Sequence, residues 1–471
     1  MYRKITGYIL MALVLLCWQG LYAQTNEYSL LTEVKVSNSE KKTFSEWKSY
    51  PTRIISTLSN YMPVKKMELD KYGGRKDRKE TATGFYYTKK INGRWYTINP
   101  EGNLFINIGM VSVSAGGSDR SKQVLREKYG SKEDWADETA KLLRGNGFNA
   151  YGAWTDNGSL LNTLSQDKKP MAYTIMKNFM SDYGKKRGGT YQESGHIGYP
   201  DRTLFVFDPQ WEIFCDSYAK QLATTKDDQN LYGYFSDNEF PLERLTLDRY
   251  LAKKDTTDPG CIAAKQWLKD HKLTAASVTD SIRNEFLGLV AEKYYSTVSR
   301  AIKKYDPNHL YLGSRLHSYE LKVRQVFEAV GKYVDVIAIN YYRQWTPVAT
   351  DMKNWEQWSG KPFIVTEWYV KGEDSGMPNY SGAGWIVKTQ EDRGAFYQHF
   401  ALGLLESKCC VGFHWFKYQD NDPTDRSVDP SNTDANKGIV SWDYDLYTPL
   451  LNKMKELNTQ VYQLADFFDK R

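Results

Sequence analysis

Two glutamates stand where a chain can hold an acid rigidly. In LYGYFSDNEF (231–240) an apolar, aromatic run stops at Asp237, Asn238 and Glu239, and in PFIVTEW (362–368) Phe363, Ile364 and Val365 lead into Glu367. Tyr232, Tyr234 and Phe235 favour a pleated strand. Each carboxylate is therefore expected on the last position of a buried strand, where rigid backbone positions it and burial raises its pKa. Two carboxylates meeting in one cleft can break a glycosidic bond. At a separation of about 5 Å one attacks the anomeric carbon while the other protonates the leaving oxygen; at about 6.5–9.5 Å they admit a water and invert configuration.

For residues this far apart in sequence to meet, the elements carrying them must converge. Strand-like runs recur at 104–109, 148–154, 169–176, 231–239, 309–317, 334–342, 362–368 and 409–416, and helical patterns lie between them at 132–144, 208–222, 282–305, 319–330 and 389–407. Pro209 suits the first turn of the second of these helices. Eight alternating βα units predict a parallel (β/α)8 TIM barrel, an α/β fold whose strand C-termini share one mouth. The two glutamates then close the fourth and seventh strands. Ahead of the barrel, 84–113 carries turn signals at Asn92-Gly93 and Pro100-Glu101-Gly102 between alternating aromatic and polar residues, which predicts a small β-hairpin region. The run at 104–109 suits either its last strand or the first of the barrel. Residues 24–82 are polar and mixed and read as a peripheral segment, and 83–471 as the catalytic domain.

The N-terminus has Arg3 and Lys4, an apolar segment from Ile9 to Leu16 and a short polar stretch to Ala23, the arrangement of a cleaved signal peptide at 1–23. Export to the periplasm or medium is expected; a lipid-modified Cys17 is the rival, weakened by Leu16 where a small residue is required. No later stretch reads as a membrane span. The 471 residues are 41% hydrophobic, ample for a closed core, and a net charge of +6 with acidic and basic residues interspersed does not call for nucleic acid. The densest basic cluster, Lys185-Lys186-Arg187, reads as a solvated loop. Cys215, Cys261, Cys409 and Cys410 form neither a disulfide framework nor a zinc pattern and read as buried small hydrophobes. Aromatic content is 14%, with 35 Tyr and 14 Trp, more ring surface than a core needs and suited to stacking on sugar faces.

Other chemistries lack their motifs. The six histidines show no HxH or HExxH spacing, no GxSxG elbow is present, and neither GxGxxG nor P-loop glycines appear, so no metal or organic cofactor is expected. Asp420, Asp422 and Asp425 lack calcium-loop spacing and read as a surface turn.

An Asn-Glu pair closing strand four and a Glu closing strand seven resemble the clan A glycoside hydrolases. More narrowly, GRWYTINPEGNLFINIG, GYFSDNEFP and VTEWYVKGEDSGMPN are similar to β-agarases of glycoside hydrolase family 50, with the likeness running over residues 84–460. That family usually carries a large β-sandwich domain ahead of the barrel, where this chain has the short segment 24–82. The resemblance implies a retaining enzyme with Glu239 as acid/base, Glu367 as nucleophile and Asn238 on the sugar 2-hydroxyl. By the same resemblance Tyr341 hydrogen-bonds the nucleophile and Trp415 forms the floor under the reacting sugar. The remaining strand ends offer Arg315, His317, Asn340, Tyr342, His414 and Lys417 as sugar contacts, and Trp154, Trp368 and Trp385 as outer stacking platforms, Trp385 following a Gly-rich loop suited to be a lid. The expected substrate is agarose or a related β-galactan, as polysaccharide or oligosaccharide. The alternatives are another glycan, such as a β-galactoside, mannan or β-glucan, or a barrel that captures glycan without cutting it. Oligomeric state is not legible in the sequence.

Overall fold

The computed structural model describes residues 27–63, 67–162 and 171–471. The expected signal peptide, Cys17 and the start of the third strand run lie outside these residues. Eight parallel strands form the barrel: Asn107–Met110, Ala150–Tyr151, Ala172–Lys177, Leu231–Ser236, Leu310–Gly313, Ile337–Asn340, Phe363–Glu367 and Cys410–Trp415. Their spatial order is five-four-three-two-one-eight-seven-six. A parallel bridge between Leu316 and Ile339 joins strand five to strand six and closes the ring. Every residue of the fourth, seventh and eighth strands is buried, as strands covered on both faces must be.

The covering helices begin where side chains cap them. Ser131 starts Lys132–Gly145 by accepting from Asp134 N, Thr279 starts the 26-residue helix Asp280–Tyr305, and Thr389 with Asp392 forms a capping box ahead of Gln390–Glu406. Two local expectations fail. The helix after Pro209 begins only at Trp211, so the proline lies outside its first turn. Lys185, Lys186 and Arg187 end the helix Phe179–Arg187, where cations complement the negative end of the dipole, and Arg187 pairs with Asp208 and Asp258.

The run at 104–109 serves both of its expected roles. Asn103–Phe105 pairs with Arg94–Ile98 and Arg75–Lys79 in a four-stranded antiparallel sheet, and Asn107–Met110 enters the barrel immediately afterwards. The Asn92-Gly93 turn has φ of +49° and +86°, the two positive values that a tight hairpin requires. This sheet touches the beginnings of barrel strands: Tyr86 packs on Tyr232, Phe85 on His309, and Trp95 N donates to Lys408 O. It plugs the end opposite the mouth.

At the mouth a second sheet joins distant segments. Leu30–Lys35 pairs with Lys48–Thr52 and with Ile386–Val387, which in turn pairs with Lys371–Gly372. The segment ahead of the barrel is thereby fixed to the long loop after strand seven. Cys215, Cys261, Cys409 and Cys410 are free and buried.

Candidate active site

The mouth holds a cavity of about 1340 Å³ lined by residues following strands one to eight and by Val36, Ser37 and Ser39 of the N-terminal segment. Non-glycine residues with positive φ gather at the strand ends: Ser112 after strand one, Trp154 after two, Asp237 and Glu239 after four, Arg315 after five and Arg343 after six. Such conformations are costly and persist where the surroundings impose them, commonly at functional sites.

Glu239 and Glu367 both line this cavity. Glu239, nearly buried, accepts from Asn340 Nδ2 at 2.8 Å on Oε1, and His196 Nδ1 stands 3.7 Å from its Oε2. The His196 ring is itself anchored to Glu193 at 2.8 Å. Glu367 is held from two sides, by Arg315 Nη2 at 2.7 Å on Oε1 and by the Tyr342 hydroxyl at 2.5 Å on Oε2. Arg315 Nη2 also donates to Thr366 O, and Thr366 Oγ1 donates to Asn340 Oδ1 at 2.9 Å. A continuous set of polar contacts, Glu367–Arg315–Thr366–Asn340–Glu239, therefore ties the two carboxylates together. Asn238 bridges the other side, with Oδ1 accepting from Asn340 Nδ2 and Nδ2 donating to Gly195 O.

Asp237 acts from behind. Its carboxylate accepts from Met180 N, Ser181 N and the Tyr294 hydroxyl, so the residue just after strand four caps the helix Phe179–Arg187, whose own N-cap residue Asn178 makes no side-chain cap. This fixes the backbone two residues ahead of Glu239. Asp237→Ala would leave the buried N–H groups of Met180 and Ser181 unpaired, while the Tyr294 hydroxyl keeps Ser236 O, and is expected to cost about 3 kcal/mol of stability, read as a lowered urea midpoint.

The electrostatics follow from burial. Burial pushes the Glu367 carboxyl above its ordinary range; the Arg315 guanidinium opposes this, the Glu239 charge adds to it, and Tyr342 and Lys437 pull it down. Burial alone would lower the His317 imidazole, but Glu320, with Glu239 and Glu367 beyond it, carries it up to about 9 and keeps it cationic beside the pair. Arg315→Met removes the nearest positive charge, so the Glu367 carboxyl must rise further. The acidic limb of kcat/KM against pH is then expected to move up by about one to three pH units, with activity partly returning as pH rises. An unmoved limb would show that Arg315 does not set the ionisation of Glu367.

The expected site residues divide by strand parity. Asn238, Glu239, His317, Asn340, Glu367, Trp154 and Trp385 line the cavity, with Trp154 40% exposed over the Arg315 guanidinium. Three aromatic expectations are corrected. Tyr341 touches the wall, but its hydroxyl accepts from Val348 N and its ring packs on Trp355 and Phe400; Tyr342 holds Glu367 instead. Trp368 is fully buried, stacked on Tyr397 and Phe400 of the helix Gln390–Glu406, and Tyr369 lines the cavity. Trp415 is also fully buried against Trp368 and Tyr397, with its indole donating to Lys437 O, so it is not the floor; Phe416 lines the cavity. Strand side chains alternate faces, so in each case the residue two beyond an inward one, or one beyond an outward one, reaches the mouth.

His414 points inward but below the site. It is fully buried beside Gly109 and Gly152, donates from Nε2 to Asn107 Oδ1, and is held neutral, its imidazole lowered to about 3 by burial and by Arg315. Arg315 lies under Trp154 and reaches the chemistry only through Glu367. Lys417 is buried with Nζ on Asn421 Oδ1. Sequence reasoning missed His196, Tyr369, Phe416 and Lys437. Parity would have found the two aromatics; nothing local marks His196 or Lys437, which come from loops.

Asp420 is not part of a surface turn. It is buried and accepts from Lys437 N, Gly438 N, Asn436 Nδ2 and the Tyr447 hydroxyl. Among the described residues no cluster of His, Cys, Asp or Glu could hold a metal, and no helix is long and apolar enough to cross a membrane.

A (β/α)8 barrel with two linked carboxylates at the ends of strands four and seven defines the class of protein: a barrel built like the glycoside hydrolases of that arrangement. No family model matches the chain. It is 33% identical to a solved protein described as BpGH50, covering 93% of this chain and 96% of that one with a TM-score of 0.83. The chain belongs to glycoside hydrolase family 50. Among curated relatives it is 26% identical to beta-agarase B of Vibrio sp. (strain JT0107), over 83% of this chain and 50% of that protein, and 27% identical to beta-agarase A of the same strain, over 83% and 48%. The chain thus spans about half the length of the curated relatives it matches. A solved exo-beta-agarase shares the fold at 21% identity and a TM-score of 0.70, over 86% of this chain and 68% of that one.

Proposed function

We propose that this protein is an agarase-like retaining β-glycosidase that hydrolyses β-galactosidic linkages in agarose or related galactan oligosaccharides. The observation that carries the reading is the joining of Glu239 and Glu367 in one cavity through Asn340, Thr366 and Arg315. Family membership supports a glycoside hydrolase, and the two curated relatives named as beta-agarases support a galactan.

In this mechanism Glu367, oriented by Arg315 and Tyr342, attacks the anomeric carbon as Glu239 gives its proton to the departing glycosidic oxygen. The C–O bond breaks and a glycosyl ester of Glu367 forms. Glu239, now a carboxylate, takes a proton from water, whose oxygen attacks the same carbon from the vacated side and frees Glu367. Two inversions return the original configuration. Asn238 suits the sugar 2-hydroxyl, Trp154 and Trp385 suit sugar faces, and His317 supplies positive charge beside two carboxylates. Export is part of the reading and is supported by Arg3, Lys4 and the apolar run from Ile9 to Leu16.

The test is digestion of agarose, neoagaro-oligosaccharides, porphyran, β-galactan, mannan and laminarin, followed by mass spectrometry and by NMR of the first-formed anomer. Cleavage of a galactan with a β-anomer first supports the reading. Cleavage of mannan or laminarin alone overturns the substrate, and an α-anomer overturns the mechanism.

A further inference from the structure

One wall of the cavity holds a buried lysine that makes no ion pair among the described residues. Lys437 lines it but is only 2% exposed; its Nζ donates to Asn432 Oδ1 at 2.7 Å and sits 4.8 Å from the Tyr369 ring and 5.0 Å from that of Phe416. An ammonium has three donors, so Nζ retains capacity for two more bonds. Two further buried lysines stand behind it. Lys417 holds only Asn421 Oδ1, and Lys371 is fully engaged by Ser37 Oγ and the carbonyls of Asn379 and Ser381. None of the three is in an ion pair among the described residues; Glu367 acts on Lys437 at longer range, as do Asp420, Asp429 and Asp434 on one or another of the three.

Lys437 is also preorganised. Asp420 Oδ1 accepts from its backbone N–H and from that of Gly438, both at 2.7 Å, and the Trp415 indole donates to its carbonyl. Gly382 packs closely against it: a Cβ there would stand 2.8 Å from Lys437 Cε and 2.6 Å from the Tyr369 hydroxyl, so only glycine lets the loop approach the lysine stem.

We propose that Lys437, reinforced by Lys417 and Lys371, is a subsite for an anionic substituent of the glycan, a sulfate ester or a carboxylate on a sugar beside the scissile bond. Burying three cations together with carboxylates only at a distance is unfavourable, and a ligand's negative charge in direct contact with Lys437 Nζ relieves it. The cost is visible in their basicity: burial, with mutual repulsion added at Lys437, lowers Lys437 and Lys371 to about 7, and burial lowers Lys417 to about 8. This inference rests on the reading of the cavity as a glycan site and adds the charge of its substrate.

The test measures binding by calorimetry to the Glu367→Gln protein, so that cleavage does not intervene. The probes are a neutral galactan oligosaccharide, its sulfated counterpart and a uronate-bearing one. One anionic probe is expected to bind about ten- to hundredfold tighter than the neutral one, and which probe does so distinguishes ester from carboxylate. Adding Lys437→Gln is expected to remove that preference. Should this double variant not fold, the preference must still shrink with added sodium chloride in the single variant. Equal affinity for all three probes, or a preference insensitive to both salt and Lys437, overturns the proposal. The galactan reading fails separately, by absence of galactan cleavage in the intact enzyme, and an anion preference that survives that failure leaves the subsite standing.

Discussion

Glu367→Ala is expected to lower turnover of a galactan oligosaccharide by on the order of 10⁴-fold or more, the scale of losing the nucleophile of a covalent mechanism. No neighbour can substitute, because Arg315 and the Tyr342 hydroxyl that grip this carboxylate are a cation and a group whose ionisation burial suppresses. The gap left by the side chain gives the experiment its specificity. Azide placed there can attack the anomeric carbon once, and with an aryl glycoside of good leaving ability the expected product is a glycosyl azide of inverted configuration. Unchanged turnover would remove Glu367 from the chemistry. Arg315 would also lose its partner inside the protein, so the variant should unfold at lower denaturant, and binding should be compared below that midpoint.

Glu239→Gln is expected to lower turnover by about 10²- to 10⁴-fold, the contribution of a positioned general acid and base. The amide preserves the bond from Asn340 Nδ2 through its oxygen, so geometry is nearly retained while the proton is lost. The loss should depend on the leaving group. A nitrophenol departs without protonation, so the first step survives and the glycosyl-enzyme accumulates, seen as a burst of nitrophenol followed by slow turnover. A natural oligosaccharide, whose alkoxide must be protonated, should show no burst. Equal losses on both substrates would exclude Glu239 as the acid.

In the proposed mechanism the two roles follow from the surroundings. Glu367 faces Arg315 and can ionise despite its burial, whereas Glu239 has an uncharged amide on one oxygen and an imidazole nearby on the other.

The barrel strands were readable because each is apolar over several residues and ends sharply in polar ones, as in YFSDNE and IVTEW. Period-two parity is also present in the sequence, but ring type alone does not reveal which strand-end aromatics face the mouth. Tyr341, Trp368 and Trp415 have the ring chemistry of a sugar site but the parity of the outer face, where they pack on the barrel's helices. Tyr342, Tyr369 and Phe416 face inward. His196 and Lys437 were illegible, since each lies in irregular chain whose path depends on partners elsewhere: Gly195 N on Asp429, and Lys437 N on Asp420.

By itself the sequence determined the barrel, its eight strands in order and the two carboxylates at the ends of strands four and seven, because these depend on local apolar patterning and on the convergence that closure of a parallel sheet enforces. Only the tertiary structure decided what surrounds those carboxylates. Arg315 under Trp154, Tyr342 on Glu367, the polar chain through Thr366 and Asn340, and Lys437 held in the cavity wall through Asp420 are contacts between segments distant in the chain or brought together by loops. Their distances are set by how strands, loops and the N-terminal segment pack together, a quantity that no local stretch of sequence contains.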